Sequence, residues 1–423
     1  MSQPQRASAA GGRSILLVAF CCLAAMGEGV DLQAPGVTLP VLGPLFGLSA
    51  GEGGGYLAGF LSQKSLFLSM STFGLMLGAV IGGRASDLVG RKWVTVASVA
   101  VFGLMSILTA HSTSADMLLW LRFLTGVGLG GAMPNLIAIV AENVSPERRS
   151  TAVGFLYASL PTGGALVSLF AFAFANAEHW PYIYYLGGIV PLLAIPGLVF
   201  GVPNRLPVHE TSAAAGPRPG VAEALFGGRR AAVTVALWLG FFFALIAMYI
   251  LLGWLPSLLV GKGLSRPDAS IVQVGFNVFG AVGSVLTGFL IDRPRRGLAV
   301  ALVFLSAIVS LGILAGAPAA LAVSFVVGSL VGCTVSGTQT ILYAIAPSCY
   351  PTQVRGTGVG FAVAVGRFGS AMGPLLAGAM LGGGASGTRV LGALVPVMIV
   401  SGVAAVFCAL ATRSRKLDLA AAH

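Results

Sequence analysis

The sequence predicts an all-α polytopic membrane protein in which twelve transmembrane helices form two pseudo-symmetric six-helix bundles. Three observations predict this class. The chain is 56% hydrophobic and only 9% charged, whereas soluble proteins carry about 25% charged residues. Apolar windows of about 20 residues, the length of a membrane span, occur twelve times. Two segments of the first half also recur in the second half.

The twelve windows set the predicted domain bounds. We expect a tail over 1–13, a bundle over 14–202, a central loop over 203–230, a second bundle over 231–411 and a tail over 412–423. The central loop is the longest polar stretch, and it leaves six windows on each side. The windows are centred near residues 27, 72, 102, 129, 162, 191, 243, 280, 307, 332, 368 and 401.

The distribution of basic residues predicts the orientation. Of the 24 Lys and Arg residues, 18 lie on the side of both termini, so the positive-inside rule places the termini in the cytoplasm. Because the basic clusters explain topology, the net charge of +11 does not indicate a nucleic-acid partner. The other six comprise four residues of loops on the opposite side and two within windows: Lys64, Lys262, Arg266 and Arg389, then Arg122 and Arg367.

An internal repeat supports two equivalent bundles. Residues 78–92, "GAVIGGRASDLVGRK", align with 283–297, "GSVLTGFLIDRPRRG", at an offset of 205. Residues 138–155 align with 344–361 at an offset of 206, with seven of eighteen positions identical. Two nearly equal offsets of about half the chain indicate a duplicated six-span unit. Parallel halves of this kind are the plan of a large class of transporters that hold substrate near the bilayer midplane.

The first span contains two acids, Glu28 and Asp31, in the stretch "MGEGVDLQAPG". Three residues apart, they share one face of a helix. A carboxyl group in an apolar interior holds its proton more readily, and a second carboxylate nearby strengthens this tendency. The pair therefore predicts proton coupling, with Asp31 as the preferred carrier. The alternative is a structural role, for example as counter-ion of Arg122.

The loop between the second and third spans carries Gly83, Asp87, Gly90 and Arg91 at the spacing "GRASDLVGRK". Glycines permit a tight turn between closely packed helix ends. Asp87 can accept hydrogen bonds from a neighbouring helix or pair with a basic group. The alternative is a basic loop that only sets topology.

The fourth span opens with Arg122 and continues with four glycines in "RFLTGVGLGGAMPNL". Small residues allow close helix approach in membranes. No strand precedes these glycines and no Lys-Ser/Thr follows, so a nucleotide-binding loop is a weak alternative. Arg122 lies about 9 Å from the outer end at helical rise. From there it could act as a functional charge or extend to the interface as an anchor.

The eleventh span contains Arg367, about 18 Å from its cytoplasmic start. A cation at this depth costs at least about 2.5 kcal/mol unless it is paired or hydrated. We interpret Arg367 as the binder of a substrate carboxylate, with Gly366 and Gly369 leaving room for the ligand. A structural ion pair is the alternative.

The second bundle also supplies polar and aromatic side chains for a ring pocket. Rings with a polar edge suit a flat, partly apolar ligand, although many aromatic residues in spans face lipid or pack between helices. The candidates are Tyr249, Trp254, Asn277, Gln339 and Tyr343.

The loop of Asp87 resembles the motif of the major facilitator superfamily between spans two and three. "EGVDLQAPG", "RFLTGVGLGGAMPNLIA", "GWLP" and "ILYAIAPSCYPTQVRGTGVGFAVAVGRFG" are similar to its aromatic acid:proton symporter branch, and most similar to bacterial 3-(3-hydroxyphenyl)propionate transporters. The resemblance covers essentially the whole chain. Departures are Lys64 at the start of the second span and Ala85-Ser86 before the loop acid.

The resemblance implies the major facilitator fold and proton-driven import of an aromatic carboxylate across the bacterial inner membrane. The acid pair of the branch matches Glu28 and Asp31, its loop acid matches Asp87, and its fourth-span arginine matches Arg122. The gating role of the motif carries over to Asp87 and Arg91. Benzoate, a hydroxybenzoate, gentisate or a phenylpropionate would fit as cargo.

We therefore predict a symporter that works by alternating access, with protons, an aromatic carboxylate and the lipid bilayer as its partners. We expect a monomer without a cofactor or metal, powered by the proton gradient. An enzyme is disfavoured because the four histidines are scattered in loops and the tail: His111, His179, His209 and His423. Proton-driven efflux of a drug or aromatic compound is the alternative, but the fifth span lacks part of the glycine pattern of antiporters.

Overall fold

A computed structural model describes residues 3–49, 56–145, 149–173, 179–203, 221–227, 230–291, 296–351 and 354–421. These residues form helices joined by short turns, and they contain no strand. Helices dominate because a chain in lipid must satisfy its backbone polar groups internally. The α-helices in chain order are α1 Gln3–Leu45, α2 Tyr56–Phe60, α3 Gln63–Val89, α4 Arg91–Thr109, α5 Ala115–Asn143, α6 Arg149–Ala173, α7 Trp180–Leu192, α8 Ile195–Gly201, α9 Val221–Phe226, α10 Ala231–Gly261, α11 Arg266–Ile291, α12 Arg296–Gly316, α13 Leu321–Ile345, α14 Arg355–Gly382 and α15 Gly387–Ala421.

Twelve candidate membrane spans lie within the described residues, which confirms the predicted fold class. They extend from Ser14–Leu45 to Gly387–Ala411. The sixth span, Trp180–Gly201, consists of α7 and α8, which are separated by a turn at Leu193 and Ala194. Helices α1 and α15 extend beyond their spans, into the stretches that we predicted as tails.

The chain divides into two compact units. The first comprises 1–50 and 62–209, and the second comprises 51–61 and 210–423. The short helix α2 therefore groups with the second unit, where it packs on α14, although our predicted bounds included it in the first bundle. Its Gly59 permits this contact because a Cβ there would press on the backbone of Gly378 and Gly382.

In the first unit, α1 packs on α6 and α7, while α5 packs on α3 and α4. Tight contact between α3 and α5 depends on glycines, as predicted for the fourth span. A Cβ at Gly126 would overlap the carbonyl oxygen of Ser71, and one at Gly130 that of Leu75. Buried apolar residues between the helices form the core of this unit, among them Ala24, Phe102, Leu129, Leu136 and Leu198.

The second unit repeats the packing pattern of the first. Here α11 packs on α13 and α10 packs on α14. A Cβ at Gly78 of α3 would overlap the carbonyl of Val127, and a Cβ at Gly283 of α11 would overlap that of Cys333. The two glycines differ by 205 positions and the two carbonyls by 206, the offsets of the sequence repeat. The same helix contact is therefore built twice.

A lysine joins two helix ends in the second unit. The Nζ of Lys262, just after α10, donates to the carbonyl oxygens of Leu314, Ala315 and Ala317 at 2.9, 3.2 and 2.9 Å. The first two of these carbonyls lie in the last turn of α12 and the third lies just after it, where carbonyl oxygens lack intrahelical donors. Burial lowers the pKa of the Lys262 ammonium group, whereas the three carbonyl oxygens favour its charged form. The contact fixes the end of α10 to the end of α12.

Candidate functional site

The first unit contains an ion pair sealed from solvent. Asp31 of α1 and Arg122 of α5 are both 0% exposed. The Nη1 of Arg122 donates to Oδ1 of Asp31 at 2.8 Å, and its Nη2 donates to the backbone carbonyl of Asp31 at 2.8 Å. The arginine thus contacts both the side chain and the backbone of one residue. If the carboxylate were neutralised, the second hydrogen bond would still hold the guanidinium beside α1.

A serine and a tyrosine from two more helices complete this site. The Oγ of Ser106 in α4 lies 2.8 Å from Oδ1 of Asp31 and 3.1 Å from the carbonyl oxygen of Tyr184 in α7. The hydroxyl of Tyr184 lies 2.9 Å from that of Thr38, and its ring centroid is 5.6 Å from the guanidinium carbon of Arg122. A cation against an aromatic face is attracted by the ring quadrupole. Four helices therefore meet around Asp31.

Glycines give these helices the space to meet. A Cβ at Gly29, two residues before Asp31, would overlap the carbonyl of Leu160 in α6. A Cβ at Gly187 of α7 would lie 3.0 Å from the Oγ of Ser106 and 3.5 Å from Oδ1 of Asp31. The glycines of the stretch "MGEGVD" therefore hold the acidic turn of α1 close against its neighbours.

The two oxygens of Asp31 have different environments. Oδ1 accepts from Arg122 and Ser106, whereas Oδ2 is buried and has no hydrogen-bond partner among the described residues. Oδ2 is therefore the atom that can take a proton without displacing a donor. Glu28, one turn earlier on α1, is also buried at 1% exposure.

The ion pair bears on two of the alternatives left open by the sequence. Arg122 is not an interfacial anchor, because a guanidinium group without solvent exposure cannot extend to the membrane surface. The counter-ion relationship between the acids and Arg122 is present, and it involves Asp31. Asp31 is thus paired through Oδ1, while its Oδ2 has no hydrogen-bond partner among the described residues.

In the second unit, Arg367 contacts Tyr249. The partly exposed Arg367, twelve residues into α14, donates from Nη1 to the hydroxyl of Tyr249 in α10 at 3.0 Å. The expectation that Gly366 and Gly369 leave room for a ligand is wrong. A Cβ at Gly366 would meet Leu245, and one at Gly369 would overlap the backbone carbonyl of Phe242. Both glycines serve the packing of α14 on α10.

The remaining ring-pocket candidates differ in what they offer a ligand. The indole N–H of Trp254 donates to the carbonyl of Pro374 at 3.0 Å, so it serves helix packing. Tyr343 is 36% exposed and packs edge-on against Phe241. The amide group of Gln339 is buried and has no partner among the described residues. Asn277 donates from Nδ2 to the backbone carbonyl of Gln273 at 3.0 Å.

Comparison with known proteins places the chain in a family. The sequence profile of the Major Facilitator Superfamily matches residues 19–374 and also 263–421. The chain belongs to this superfamily. A 3-(3-hydroxyphenyl)propionate transporter of Escherichia coli (strain K12) is 37% identical over 96% of this chain and 97% of its own. A gallate transporter of Pseudomonas putida is 32% identical over 86% and 85%.

Further relatives and solved structures agree with this assignment. A 4-hydroxybenzoate transporter of Pseudomonas aeruginosa is 29% identical over 90% of this chain and 89% of its own. The crystal structure of a D-xylose–proton symporter superposes with a TM-score of 0.72 at 18% identity, over 93% of this chain and 96% of the other. The predicted resemblance to the superfamily and its aromatic acid transporters is confirmed, and a transporter rather than an enzyme is supported.

The motif of the superfamily spans the end of α3, a turn at Gly90 and the start of α4. Positions 83 and 87 therefore belong to α3, and not to a loop as predicted, because the helix continues to Val89. Gly90 separates the two helices at a φ of +97°, a conformation that favours glycine, so the predicted tight turn is present. Arg91 forms an ion pair with Glu142 at the end of α5, and both side chains are about half exposed. Gly83 has open space around its Cα. The side chain of Asp87 lies outside the described part of the chain.

Sequence reasoning missed Ser106, Tyr184, Thr38 and Glu142. Serine, threonine and tyrosine are common in spans, and nothing in their local sequence separates them from packing residues. Glu142 carried a usable signal, because an acid at the end of the fourth span can reach a nearby basic loop. The described residues contain no group of three or more His, Cys, Asp and Glu side chains that could hold a metal ion.

Proposed function

We propose that this membrane protein is a proton-coupled symporter that imports an aromatic carboxylate across the bacterial cytoplasmic membrane by alternating access. The observation that carries the proposal is the buried Asp31–Arg122 pair, whose Oδ2 is available for a proton. The substrate class is supported by relatives described as transporters of 3-(3-hydroxyphenyl)propionate, gallate and 4-hydroxybenzoate. The proton gradient supplies the energy, and no cofactor is required.

Charge balance explains how a proton and a carboxylate would be coupled. Away from the helix ends, the spans carry two acids and two arginines: Glu28, Asp31, Arg122 and Arg367. Their charges sum to zero when all four are ionised. One proton and one monocarboxylate anion added together keep the sum at zero. Either one alone leaves an uncompensated charge within the membrane, at a cost of at least about 2.5 kcal/mol.

Proton binding and carboxylate binding are assigned to different residues in this mechanism. Asp31 takes the proton at Oδ2 while Arg122 stays bound to its backbone carbonyl. Arg367, which contacts Tyr249, attracts the carboxylate through the positive charge of its guanidinium group. Release on the cytoplasmic side, where the proton concentration is lower, returns Asp31 to its ionised form and renews the pair with Arg122.

The test is uptake of labelled aromatic acids into proteoliposomes. An inward proton gradient should drive accumulation of at least one acid from a panel of benzoate, 4-hydroxybenzoate, gentisate, gallate and 3-(3-hydroxyphenyl)propionate, and a protonophore should abolish it. Asp31→Asn should lose gradient-driven accumulation and keep substrate exchange across the membrane. Arg367→Gln should raise KM at least about tenfold. Arg389→Gln, which removes an exposed cation of the same unit, should change neither value.

Two results would contradict the proposal. The first is the absence of gradient-stimulated accumulation for every acid in the panel. The second is full accumulation by Asp31→Asn, which would leave symport intact and remove Asp31 from the coupling step.

A further inference from the structure

Helix α11 has two faces of opposite character. One face is apolar and exposed, with side chains that are 44–71% exposed. Approximately opposite, on the helical wheel, lie Gln273 and Asn277, which are 0% and 4% exposed. The apolar face suits contact with lipid, and the polar pair therefore points to the protein interior. The side chains on this exposed face include Val278, Val282, Val285, Leu286 and Phe289.

The side-chain amide of Gln273 is buried without a hydrogen-bond partner. Neither Oε1 nor Nε2 has one among the described residues. Its backbone carbonyl accepts from Nδ2 of Asn277 at 3.0 Å, which orients the second amide one turn further along the helix. Nearly all buried side-chain polar atoms in proteins have a partner. A fully buried amide with two donors and an acceptor oxygen therefore points to a polar ligand group.

The position of Gln273 along the bundle relates it to Arg367 and Tyr249. Helices α10 and α11 are consecutive and joined by residues 262–265, so levels can be counted from this turn. Tyr249 lies twelve residues before the end of α10, and Asn277 lies eleven residues after the start of α11. These two residues are therefore at nearly the same level. Gln273 lies about 6 Å nearer the turn at helical rise.

We propose that Gln273 binds the ring hydroxyl group of a hydroxylated aromatic acid whose carboxylate is held by Arg367. The inference rests on the proposed function. It adds that a residue of the second unit recognises the ring hydroxyl group of the substrate. A phenolic hydroxyl can donate one hydrogen bond and accept another. A primary amide can accept the first at its oxygen and donate the second from its NH2 group. The amide is also neutral, so the charge balance of the proton and the carboxylate is unchanged.

This arrangement makes the hydroxyl group a determinant of specificity. A site built to hydrogen-bond a substrate hydroxyl disfavours the analogue that lacks it, because the buried polar group is then left without a partner. The separation of about one turn between the levels of Gln273 and Tyr249 is of the same order as the length of a small aromatic acid. Carboxylate and hydroxyl would thus be recognised at opposite ends of one ligand.

The experiment compares 3-(3-hydroxyphenyl)propionate with 3-phenylpropionate in proteoliposomes under an inward proton gradient. The unmodified protein should favour the hydroxylated acid in kcat/KM by at least about tenfold. Gln273→Met, which keeps side-chain length and removes the amide, should reduce that preference to about twofold or less. The change should appear as a higher KM for the hydroxylated acid, with the rate for phenylpropionate retained. Ser270→Ala, one turn away with a hydroxyl bonded to its own helix, should keep the preference.

The outcomes separate this inference from the proposed function. If the unmodified protein accumulates neither acid nor any other aromatic acid, the symport proposal fails. If both acids are accumulated and the preference is the same in Gln273→Met, only the role of Gln273 fails, and its amide binds water. Should Gln273→Met be unstable, the inference can still be tested by the substrate preference of the unmodified protein. Equal kcat/KM for 3-hydroxy-, 3-methoxy- and unsubstituted phenylpropionate would overturn the inference.

Discussion

At the scale of single residues, the hydroxyl group of Ser106 faces two acceptors with one hydrogen. Oδ1 of Asp31 is 2.8 Å away and the carbonyl of Tyr184 is 3.1 Å away. While Asp31 is ionised, the charge-assisted bond to Oδ1 is the stronger of the two. Protonation of Asp31 weakens that bond and makes the carbonyl of Tyr184 the better acceptor. Ser106 can therefore transmit the state of α1 to α7.

We predict that Ser106→Ala weakens gradient-driven uptake. The serine is one of two donors to Oδ1 of Asp31, and its Oγ also lies close to the carbonyl of Tyr184, so the change removes a contact that joins α4 to both α1 and α7. A hydrogen bond to a charged group contributes about 1.5–3 kcal/mol, so the initial rate of uptake should fall at least about tenfold. The measurement is the initial uptake rate under a fixed inward proton gradient.

A matched control distinguishes this effect from a loss of packing. Ser168 of α6 is also fully buried in the first unit, and its hydroxyl donates to the carbonyl of Gly164 in its own helix at 2.7 Å. Ser168→Ala should leave the uptake rate unchanged. An unchanged rate in Ser106→Ala would remove the serine from the proton site.

At the scale of helices, the contact between α3 and α5 is repeated between α11 and α13. Gly78 and Gly283 each lie against a backbone carbonyl of the partner helix. Association of helices in lipid depends on close packing because lipid chains are as apolar as the side chains. The absence of a Cβ at these two positions is therefore what allows the backbones to approach.

We predict that Gly78→Ala and Gly283→Ala destabilise the protein. The added Cβ overlaps backbone atoms, which cannot rotate away, so the helices must separate at a cost of about 1–3 kcal/mol. Gly312 of α12 is the control, because a Cβ there meets nothing within 4 Å. Gly312→Ala should be neutral or stabilising by about 0.5–1 kcal/mol, as alanine favours helix. Thermal unfolding of the purified protein in detergent is the measurement, and equal melting temperatures for all three variants would contradict the account.

At the scale of the whole molecule, the distribution of basic residues predicts the orientation in the membrane. Eighteen of 24 Lys and Arg residues lie on the side of both termini, which the positive-inside rule places in the cytoplasm. Away from the helix ends the charges of the spans balance, so the asymmetry of the loops is the signal that remains to set direction.

We predict that Arg389→Cys is labelled from outside the cell and Arg413→Cys only after the membrane is opened. Arg389 begins the twelfth span and Arg413 follows it, so they lie on opposite sides of the bilayer. The measurement uses a membrane-impermeant thiol reagent on intact cells, with the five native cysteines replaced beforehand. Labelling in the reverse order would invert the topology and place release of substrate on the outer side.

The sequence alone determined the class of this protein, its twelve spans and its two equivalent halves. Lipid requires long apolar helices, and a span of about 20 residues is visible in local composition. Charges in such spans are costly enough to identify Glu28, Asp31, Arg122 and Arg367 as functional candidates without a structure. The repeat was visible as well, because two segments of the first half, one of them containing the contact glycine Gly78, recur in the second half at nearly equal offsets.

Only the tertiary structure decided which residues work together. The spacing of Glu28 and Asp31 predicts that they share one face of a helix. It does not predict which of them pairs with Arg122. The donors to Asp31, Ser106 and Arg122, lie 75 and 91 residues away in the sequence. Whether their side chains contact Asp31 depends on how each helix is rotated about its axis. Gln273 is an example of the same kind. Nothing in the sequence around it indicates a ligand contact, and only its burial without a hydrogen-bond partner among the described residues identifies it as a candidate. The local sequence pattern determines which segments form membrane-spanning helices, and the packing of those helices determines which residues each side chain contacts.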